Sequence, residues 1–272
     1  MKLKKSTLFF YSLAEMPINI ALFPILVFIP KFYTGEMGVP LALAANIILA
    51  VRIFDVFTDP VVGYINDRTN TKWGRRRPWI AIATPLLMVS IYMLFIPPEG
   101  AGALHLFLWM FLLSIGTTML IIPYYAWGAE LSPDYNERSR ITGWRSISGV
   151  VGSLSAQLIP TIALVFFGLG GSTNVLYIVG IASVIIMPIC VFLTVLKVPE
   201  SKDYVQSNIS PIKGFKIMLE NSPFKRLIMA FMFGGIAFSI TIPLYLFFIA
   251  YVLKAASSSS SPTVFAEISG SL

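Results

Sequence analysis

Two carboxylates stand inside an apolar stretch, in the string RIFDVFTDPVVGYINDR that runs from residue 52 to residue 68. Asp55 and Asp59 are four residues apart, so on a helix both project from one face, about 6 Å apart along the axis. Thr58 lies between them. A charge at membrane depth is costly and usually marks an ion or substrate pathway. Because carboxylate and hydroxyl oxygens suit Na⁺ or a proton, the group predicts a site for a coupling cation.

A structural interpretation of the same carboxylates stays open. Arg52 lies one turn before Asp55 and is a possible partner in an ion pair. Asp59 lies nearer the end of the run, where water hydrates a carboxylate without any ligand.

A second polar stripe is predicted in the first apolar run, where Ser12, Glu15 and Asn19 share one face of a helix. Polar groups inside a membrane helix face a cavity or a neighbouring helix. Glu15 and Asn19 therefore either contact a polar solute or make a hydrogen bond between packed helices.

Aromatic and hydrogen-bonding side chains also gather in and after a later apolar run. These side chains are Thr117, Thr118, Tyr124, Tyr125, Trp127, Trp144 and Arg145. Sugars present apolar faces rimmed by hydroxyls, so rings beside hydrogen-bonding groups are typical of sugar sites. Trp127 and Trp144 also fit an interfacial aromatic belt, in which they would serve only as anchors.

The sequence offers no support for an enzyme. His105 is the single histidine, so neither a His-based triad nor a zinc cluster is expected. No GxxxxGK[ST] nucleotide-binding string is present, and the single Cys190 allows no internal disulfide. We expect no cofactor other than the coupling ion.

Composition places these residues in a membrane protein. Hydrophobic residues make up 56% of the 272 positions, 12% are charged, and the mean hydropathy is +0.79. We expect an all-α membrane protein, because seven apolar runs are long enough to cross a bilayer. These runs are 8–30, 40–65, 79–96, 104–127, 146–168, 175–196 and 227–252.

The basic residues indicate the orientation of the spans. All of the 20 Lys and Arg residues except Lys31, Arg52 and Lys254 fall on one side when the connectors alternate. Cytoplasmic loops carry this excess, so the N-terminus is predicted to be cytoplasmic in a multi-pass protein of the cell membrane. The net charge of +7 therefore reflects topology, and we expect no nucleic-acid partner.

The turn that follows the second run predicts a latch on the cytoplasmic side. Asp67 with Arg75 and Arg76 would form charge-assisted hydrogen bonds, and Gly63 would permit close approach of a helix. The alternative is that these arginines only set the topology.

Two strings carry a resemblance to a known family. The chain resembles the glycoside–pentoside–hexuronide:cation symporters, a branch of the major facilitator superfamily that includes melibiose permease. The strings that carry the resemblance are RIFDVFTDPVVGYINDRTNTKWGRRRPWI and PYYAWGAELSPDYNERSRITGWRS. The resemblance covers about residues 8–255. It implies cation-coupled symport of a sugar or glycoside by alternating access, with the membrane and the two solutes as partners.

The resemblance also assigns roles to residues. Asp55, Thr58, Asp59 and Thr118 correspond to the cation site, with Na⁺ expected at the two aspartates, while Tyr125 and Arg145 correspond to sugar-contacting positions. Where melibiose carriers have two sugar-contacting acids, this chain has Asn19 and Ile121. A carrier of a lipid-like or organic-anion solute is therefore an alternative, and so is a non-transporting membrane remnant.

The same family has about twelve spans in two six-helix halves. The resemblance implies a six-helix transmembrane half at 1–196, a cytoplasmic connector at 197–226, and a seventh helix at 227–252. The connector predicts either an amphipathic helix or a solvated linker, and 253–272 is a Ser-rich polar tail. We expect the chain to be C-terminally truncated and incompetent for transport alone, lacking the C-terminal half.

The topology can be tested with single cysteines at Ala101 and Ser201, in a background lacking Cys190. We expect an impermeant thiol reagent to label the two positions from opposite sides of the membrane, because they lie in connectors of opposite predicted side. Labelling of both from one side would contradict the arrangement.

Overall fold

A computed structural model describes residues 2–168, 172–200 and 211–247. The chain divides into two compact units, Met1–Gln206 and Ser207–Leu272. The described residues contain helices and no strand, and only an isolated bridge joins Thr71 to Gly74. The all-α architecture expected from the sequence is therefore confirmed.

The described residues of the first unit form seven helices. They are α1 (Lys5–Ser12), α2 (Glu15–Gly35), α3 (Leu41–Arg68), α4 (Arg77–Phe95), α5 (Ala103–Glu130), α6 (Tyr135–Phe167) and α7 (Ser172–Lys197). The helices α3 to α7 are long and apolar enough to cross a membrane. They correspond to the second to sixth predicted spans. The helix α6 begins eleven residues earlier than predicted, and every other bound lies within three residues of the predicted one.

The first predicted span differs from the structure, because a turn at Leu13 and Ala14 divides it into α1 and α2. At this point the Tyr11 hydroxyl donates to the Tyr124 carbonyl at 3.0 Å, and the Tyr124 hydroxyl donates to the Tyr11 carbonyl at 2.8 Å. The two rings stack with centroids 4.7 Å apart. This reciprocal contact fixes the end of α1 against α5.

The second unit contains α8 (Pro211–Glu220) and α9 (Ser222–Phe247). The helix α8 lies where the connector predicted an amphipathic helix rather than a linker. The helix α9 begins five residues before the predicted start of the seventh span at 227. The last five residues of that span and the tail at 253–272 lie outside the described residues.

In the first unit, α4 packs against α5 and α7, α2 packs against α6 and α7, and α3 packs against α5. The core contains fully buried aromatic side chains. The helix α6 begins where the Asp134 side chain accepts from the Glu137 N–H at 2.9 Å, and it ends at Gly168, whose φ of +66° is a left-handed cap.

Glycine brings α6 very close to α2. A Cβ added to Gly152 would lie 2.3 Å from the carbonyl oxygen of Met16, and one added to Gly149 would lie 3.2 Å from Nδ2 of Asn19. Small residues allow such close approach of membrane helices. This contact positions Arg145 of α6 beside Glu15 of α2.

Replacement of Gly152 by Ala tests the contact. We expect the new methyl group to push α6 from α2 and lower the free energy of unfolding by about 1–3 kcal/mol, measured by thermal unfolding in detergent. Gly143→Ala on the same helix is the matched control, because no atom lies within 4 Å of its added Cβ. There the change should be neutral or stabilising by up to about 1 kcal/mol. Equal changes in the free energy of unfolding at both positions would show that the close contact between α6 and α2 does not depend on Gly152.

Candidate functional site

The two carboxylates of α3 each meet a hydroxyl of α5. The Thr118 hydroxyl donates to Oδ1 of Asp59 at 2.7 Å, and the Ser114 hydroxyl donates to Oδ1 of Asp55. Both pairs are separated by 59 residues in the chain. Because the partners advance by four residues on each helix, α3 and α5 run in the same direction here and match turn for turn.

The two aspartates differ in their charge environment. Nη1 of Arg52 lies 3.3 Å from Oδ2 of Asp55, so the predicted structural ion pair is present beside the hydroxyl contact. Among the described residues, Asp59 makes no salt bridge to a cation. Its carboxylate is therefore the one whose charge a bound cation would have to balance.

The structure places Thr58 apart from this arrangement. Its hydroxyl lies within hydrogen-bond distance of the backbone carbonyls of Phe54 and Asp55, at 3.3 and 3.4 Å, in its own helix. Ser114 takes the place that we expected Thr58 to fill. The available signal was its position one helical turn before Thr118 on the same face.

A cavity of about 280 Å³ adjoins the carboxylates between α2, α3 and α5. Asp55, Asp59 and Thr118 line it, together with Ile121 and other apolar side chains. Within the described part of the chain, no group of three or more His, Cys, Asp or Glu residues is suited to a metal ion. Any cation held here would rely on two carboxylates and on hydroxyl oxygens.

A second polar cluster joins α2, α5 and α6. The Tyr125 hydroxyl donates to Oε1 of Glu15 at 3.1 Å, and Nε of Arg145 lies 3.9 Å from Oε2 of Glu15. The Arg145 guanidinium covers the Tyr125 ring, 3.9 Å from its centroid. Three of the four predicted solute-contacting residues are thus in direct contact.

The fourth predicted residue, Asn19, lies beside this cluster and uses its side chain differently. Its Nδ2 donates to the backbone carbonyl of Glu15 at 2.9 Å. Ser12 belongs to α1, and its hydroxyl donates to the carbonyl of Phe9 at 2.9 Å. The expected continuous stripe is therefore broken by the turn between α1 and α2.

The basic turn, which joins α3 to α4 and contains Arg75 and Arg76, is held by a buried arginine. The Arg76 side chain is 4% exposed, and it lies 2.8 Å from Oδ1 of Asp67 and 2.6 Å from Oε1 of Glu130. Burial alone would lower the pKa of Arg76, but the hydrogen bonds that it donates to Glu130 and Asp67 raise its pKa above the ordinary value. Arg75 reaches Glu130 at 2.5 Å. The structure therefore joins both arginines through Glu130, which the sequence did not single out.

The predicted role of Gly63 has no counterpart in this geometry. An added Cβ would meet only Cγ2 of Ile122, at an ordinary contact distance of 3.8 Å. The glycine of this region that has no room for a side chain is Gly74. Its φ is +116°, and an added Cβ would lie 2.0 Å from Oε2 of Glu200.

Glu200 is the second acid that the sequence did not reveal. Its Oε1 accepts from the backbone N–H groups of Arg75 and Arg76, at 2.6 and 2.7 Å. Arg77 donates from Nη2 to the carbonyl of Val198 at 2.7 Å. The segment after α7 is thereby tied to the basic turn.

The interfacial interpretation of Trp127 is wrong. Its side chain is fully buried, and its Nε1 donates to the carbonyl of Pro199 at 3.1 Å. Trp127 therefore packs inside the unit and helps to hold the segment after α7. Trp144 is partly buried and packs against the hydrophobic core.

Comparison with known families identifies the family of the chain. A family model described as MFS/sugar transport protein matches residues 10–270. The chain belongs to this family. The recognition from two sequence strings, and the expected major facilitator-type helical fold, are thereby confirmed.

Individual members of the MFS/sugar transport family are similar over most of the chain. An isoprimeverose transporter of Lactiplantibacillus pentosus is 30% identical over 228 residues, which is 79% of this chain and 46% of the relative. The putative glycoside/cation symporter YagG of Escherichia coli (strain K12) is 27% identical over 201 residues, covering 71% and 43%. The sodium-dependent lysophosphatidylcholine symporter 1 of Mus musculus is 27% identical over 266 residues, covering 83% and 49%. The chain spans about half the length of these relatives, or less.

Substitution of Glu200 by Gln tests the attachment of the basic turn. We expect trypsin to cleave after Arg75 and Arg76 at least about tenfold faster, because hydrogen bonds to a charged group each contribute about 1.5–3 kcal/mol. Glu99→Gln removes an exposed carboxylate elsewhere and should leave the cleavage rate unchanged. Equal rates in the wild type and in Glu200→Gln would show that Glu200 does not restrain the turn.

Proposed function

We propose that this chain supplies the cation-binding and solute-contacting side chains of a cation-coupled carrier of a sugar or glycoside. The observation that carries the proposal is the pair of α3 carboxylates beside a cavity, each held by a hydroxyl of α5. Acids inside an apolar span are retained at a cost in stability, and their usual use is ion passage. Relatives described as a glycoside/cation symporter and as an isoprimeverose transporter support the sugar assignment.

For the cation, we propose that Asp59 provides the principal negative charge and that Asp55 is shared with Arg52. Hydroxyl oxygens of Ser114 and Thr118 complete an oxygen-rich site suited to Na⁺ or to a proton. Thr58 stays a proposed ligand, but its hydroxyl would have to turn away from the α3 backbone.

For the solute, we propose the cluster of Glu15, Tyr125 and Arg145, with Asn19 at its edge. It offers a carboxylate acceptor, a guanidinium donor and an aromatic face, which suit the hydroxyls and the apolar face of a sugar ring. Oε2 of Glu15 is buried and has no hydrogen-bond partner among the described residues. A solute hydroxyl could donate to this oxygen.

For the conformational cycle, we propose that the basic turn acts as a latch in which Arg76 holds Asp67 and Glu130 together. Arg75 strengthens the latch through Glu130. Charge-assisted hydrogen bonds of this kind must break together when the helices move. Gly63 stays in the proposal only as a small residue beside α5.

A second candidate is a carrier of a lipid-like solute. A relative named for sodium-dependent lysophosphatidylcholine symport matches 83% of this chain. The cavity walls also include Ile121, Leu22 and Ile25, which favour an apolar ligand.

Cation binding can be tested on the purified chain, because all the proposed ligands lie in its first unit. We expect Na⁺ to raise the unfolding temperature, relative to choline at equal ionic strength. An ion at ten times its Kd adds about 1.4 kcal/mol, which corresponds to a rise of about 2–5 °C. Asp59→Asn should abolish the rise. Asp134→Asn removes a carboxylate from the α6 cap and should leave the rise intact.

Further measurements on the same purified chain identify the coupling ion and the solute. Without a Na⁺ effect, the matching test is proton uptake on adding isoprimeverose, again lost in Asp59→Asn. A Na⁺ response that survives in Asp59→Asn, or no Asp59-dependent response to either ion, would contradict the cation site. Stabilisation by lysophosphatidylcholine and not by isoprimeverose would favour the second candidate. Glu15→Gln should weaken the binding of whichever solute stabilises the chain.

A further inference from the structure

An apolar groove of about 530 Å³ lies between α4 and α7. Among the described residues that line it, only Trp73 and Thr84 bring polar side-chain atoms. The Thr84 hydroxyl donates to the carbonyl of Ile80 at 2.8 Å, so it is already satisfied. No lining residue belongs to the cation, solute or latch clusters. The groove therefore suits a hydrocarbon ligand and serves none of the proposed transport roles.

The helices that form the groove present apolar surface outward. An exposed stripe on α7 follows helical spacing through Ile181, Ile185, Ile189, Phe192 and Leu196. Both α4 and α7 are long and apolar enough to cross a membrane. In a bilayer, such a surface is covered by acyl chains.

An aromatic ring lines one end of the groove, and two lysines adjoin lining residues of this end in the sequence. Trp73 lines the groove and is 57% exposed, as is typical of tryptophan at the membrane interface. Lys72 precedes Trp73, and Lys197 follows the lining residue Leu196. Both lysines are exposed, and neither forms an ion pair within the described part of the chain.

The acids nearest to these lysines in the sequence are held by other groups. Asp67, the nearest acid to Lys72, lies 2.8 Å from Nη1 of Arg76. The Glu200 side chain is 7% exposed and is directed to the backbone N–H groups of Arg75 and Arg76. The rim therefore keeps its positive charge. Basic clusters beside membrane helices attract anionic lipid head groups.

We propose that this groove binds one anionic phospholipid from the leaflet that contacts the basic turn. An acyl chain fills the space between Pro85 and Pro188, and Lys72 and Lys197 hold the phosphate-containing head group. A zwitterionic lipid can enter the same groove but gains less from the lysines. Each lysine near the surface favours anionic lipid by roughly fivefold, which is roughly 30-fold for the pair.

Trp73 reports occupancy directly when bromine on a lipid chain quenches its fluorescence. The full chain is reconstituted in phosphatidylcholine vesicles with equal small fractions of either brominated phosphatidylglycerol or brominated phosphatidylcholine. Subtracting the signal of Trp73→Phe isolates this ring from the other tryptophans. We expect brominated phosphatidylglycerol to quench Trp73 at concentrations at least about tenfold lower.

The lysine dependence separates a specific site from general attraction to the membrane. The preference should disappear in a Lys72→Gln, Lys197→Gln double variant. It should persist in the matched control Lys2→Gln, Lys4→Gln, which removes two exposed lysines from the N-terminus. Equal quenching by the two lipids would mean that bulk lipid alone fills the groove, and would overturn the proposal. A preference that survives in the double variant, or no quenching by either lipid, would also overturn it. The experiment uses no transported ion or solute, so its outcome is independent of the proposed transport function.

Discussion

Charge compensation inside an apolar bundle is the constraint on which the arrangement of the first unit depends. A charged side chain at the centre of a membrane helix costs at least about 2.5–3.5 kcal/mol on insertion scales. In the first unit, Glu15, Asp55 and Asp59 each receive a hydrogen bond from a residue of α5. The two pairings with α3 lie where α5 packs against α3, and the long Tyr125 side chain reaches from α5 to Glu15 of α2. Polar groups therefore fix the alignment of α5 with α3 and link α5 to α2, although apolar surface supplies most of the contact between helices.

The same rule operates at the edge of the bundle, where carboxylates organise the basic turn. Glu130 ends α5, and Glu200 follows α7, so one turn is tied to two helices that are distant in the sequence. Three consecutive arginines would repel one another without these acids. With them, the turn becomes a junction between α3, α4, α5 and α7 rather than a loose connector.

Much of the helical architecture could be predicted because apolar length alone specifies a membrane helix. The α3 carboxylates could also be singled out from the sequence, since acids in such a run are rare and costly. The break after Ser12 was not predictable, because it accompanies a contact between Tyr11 and Tyr124, which are 113 residues apart. Ser114 gave a weak signal, since serine is common in membrane helices. Glu130 and Glu200 acquire their roles only through long-range contacts that no local pattern encodes.

The matched spacing between α3 and α5 has a mechanical consequence. Because both acid–hydroxyl pairs share one offset of 59 residues, sliding one helix along the other would change both contacts together. A slide of one turn, about 5.4 Å, would bring Asp55 level with Thr118 and would leave Asp59 level with Ile122. One carboxylate would then face hydrocarbon without a hydroxyl. A small displacement would therefore stretch both hydrogen bonds at once, and a slide of a full turn would restore only one of them.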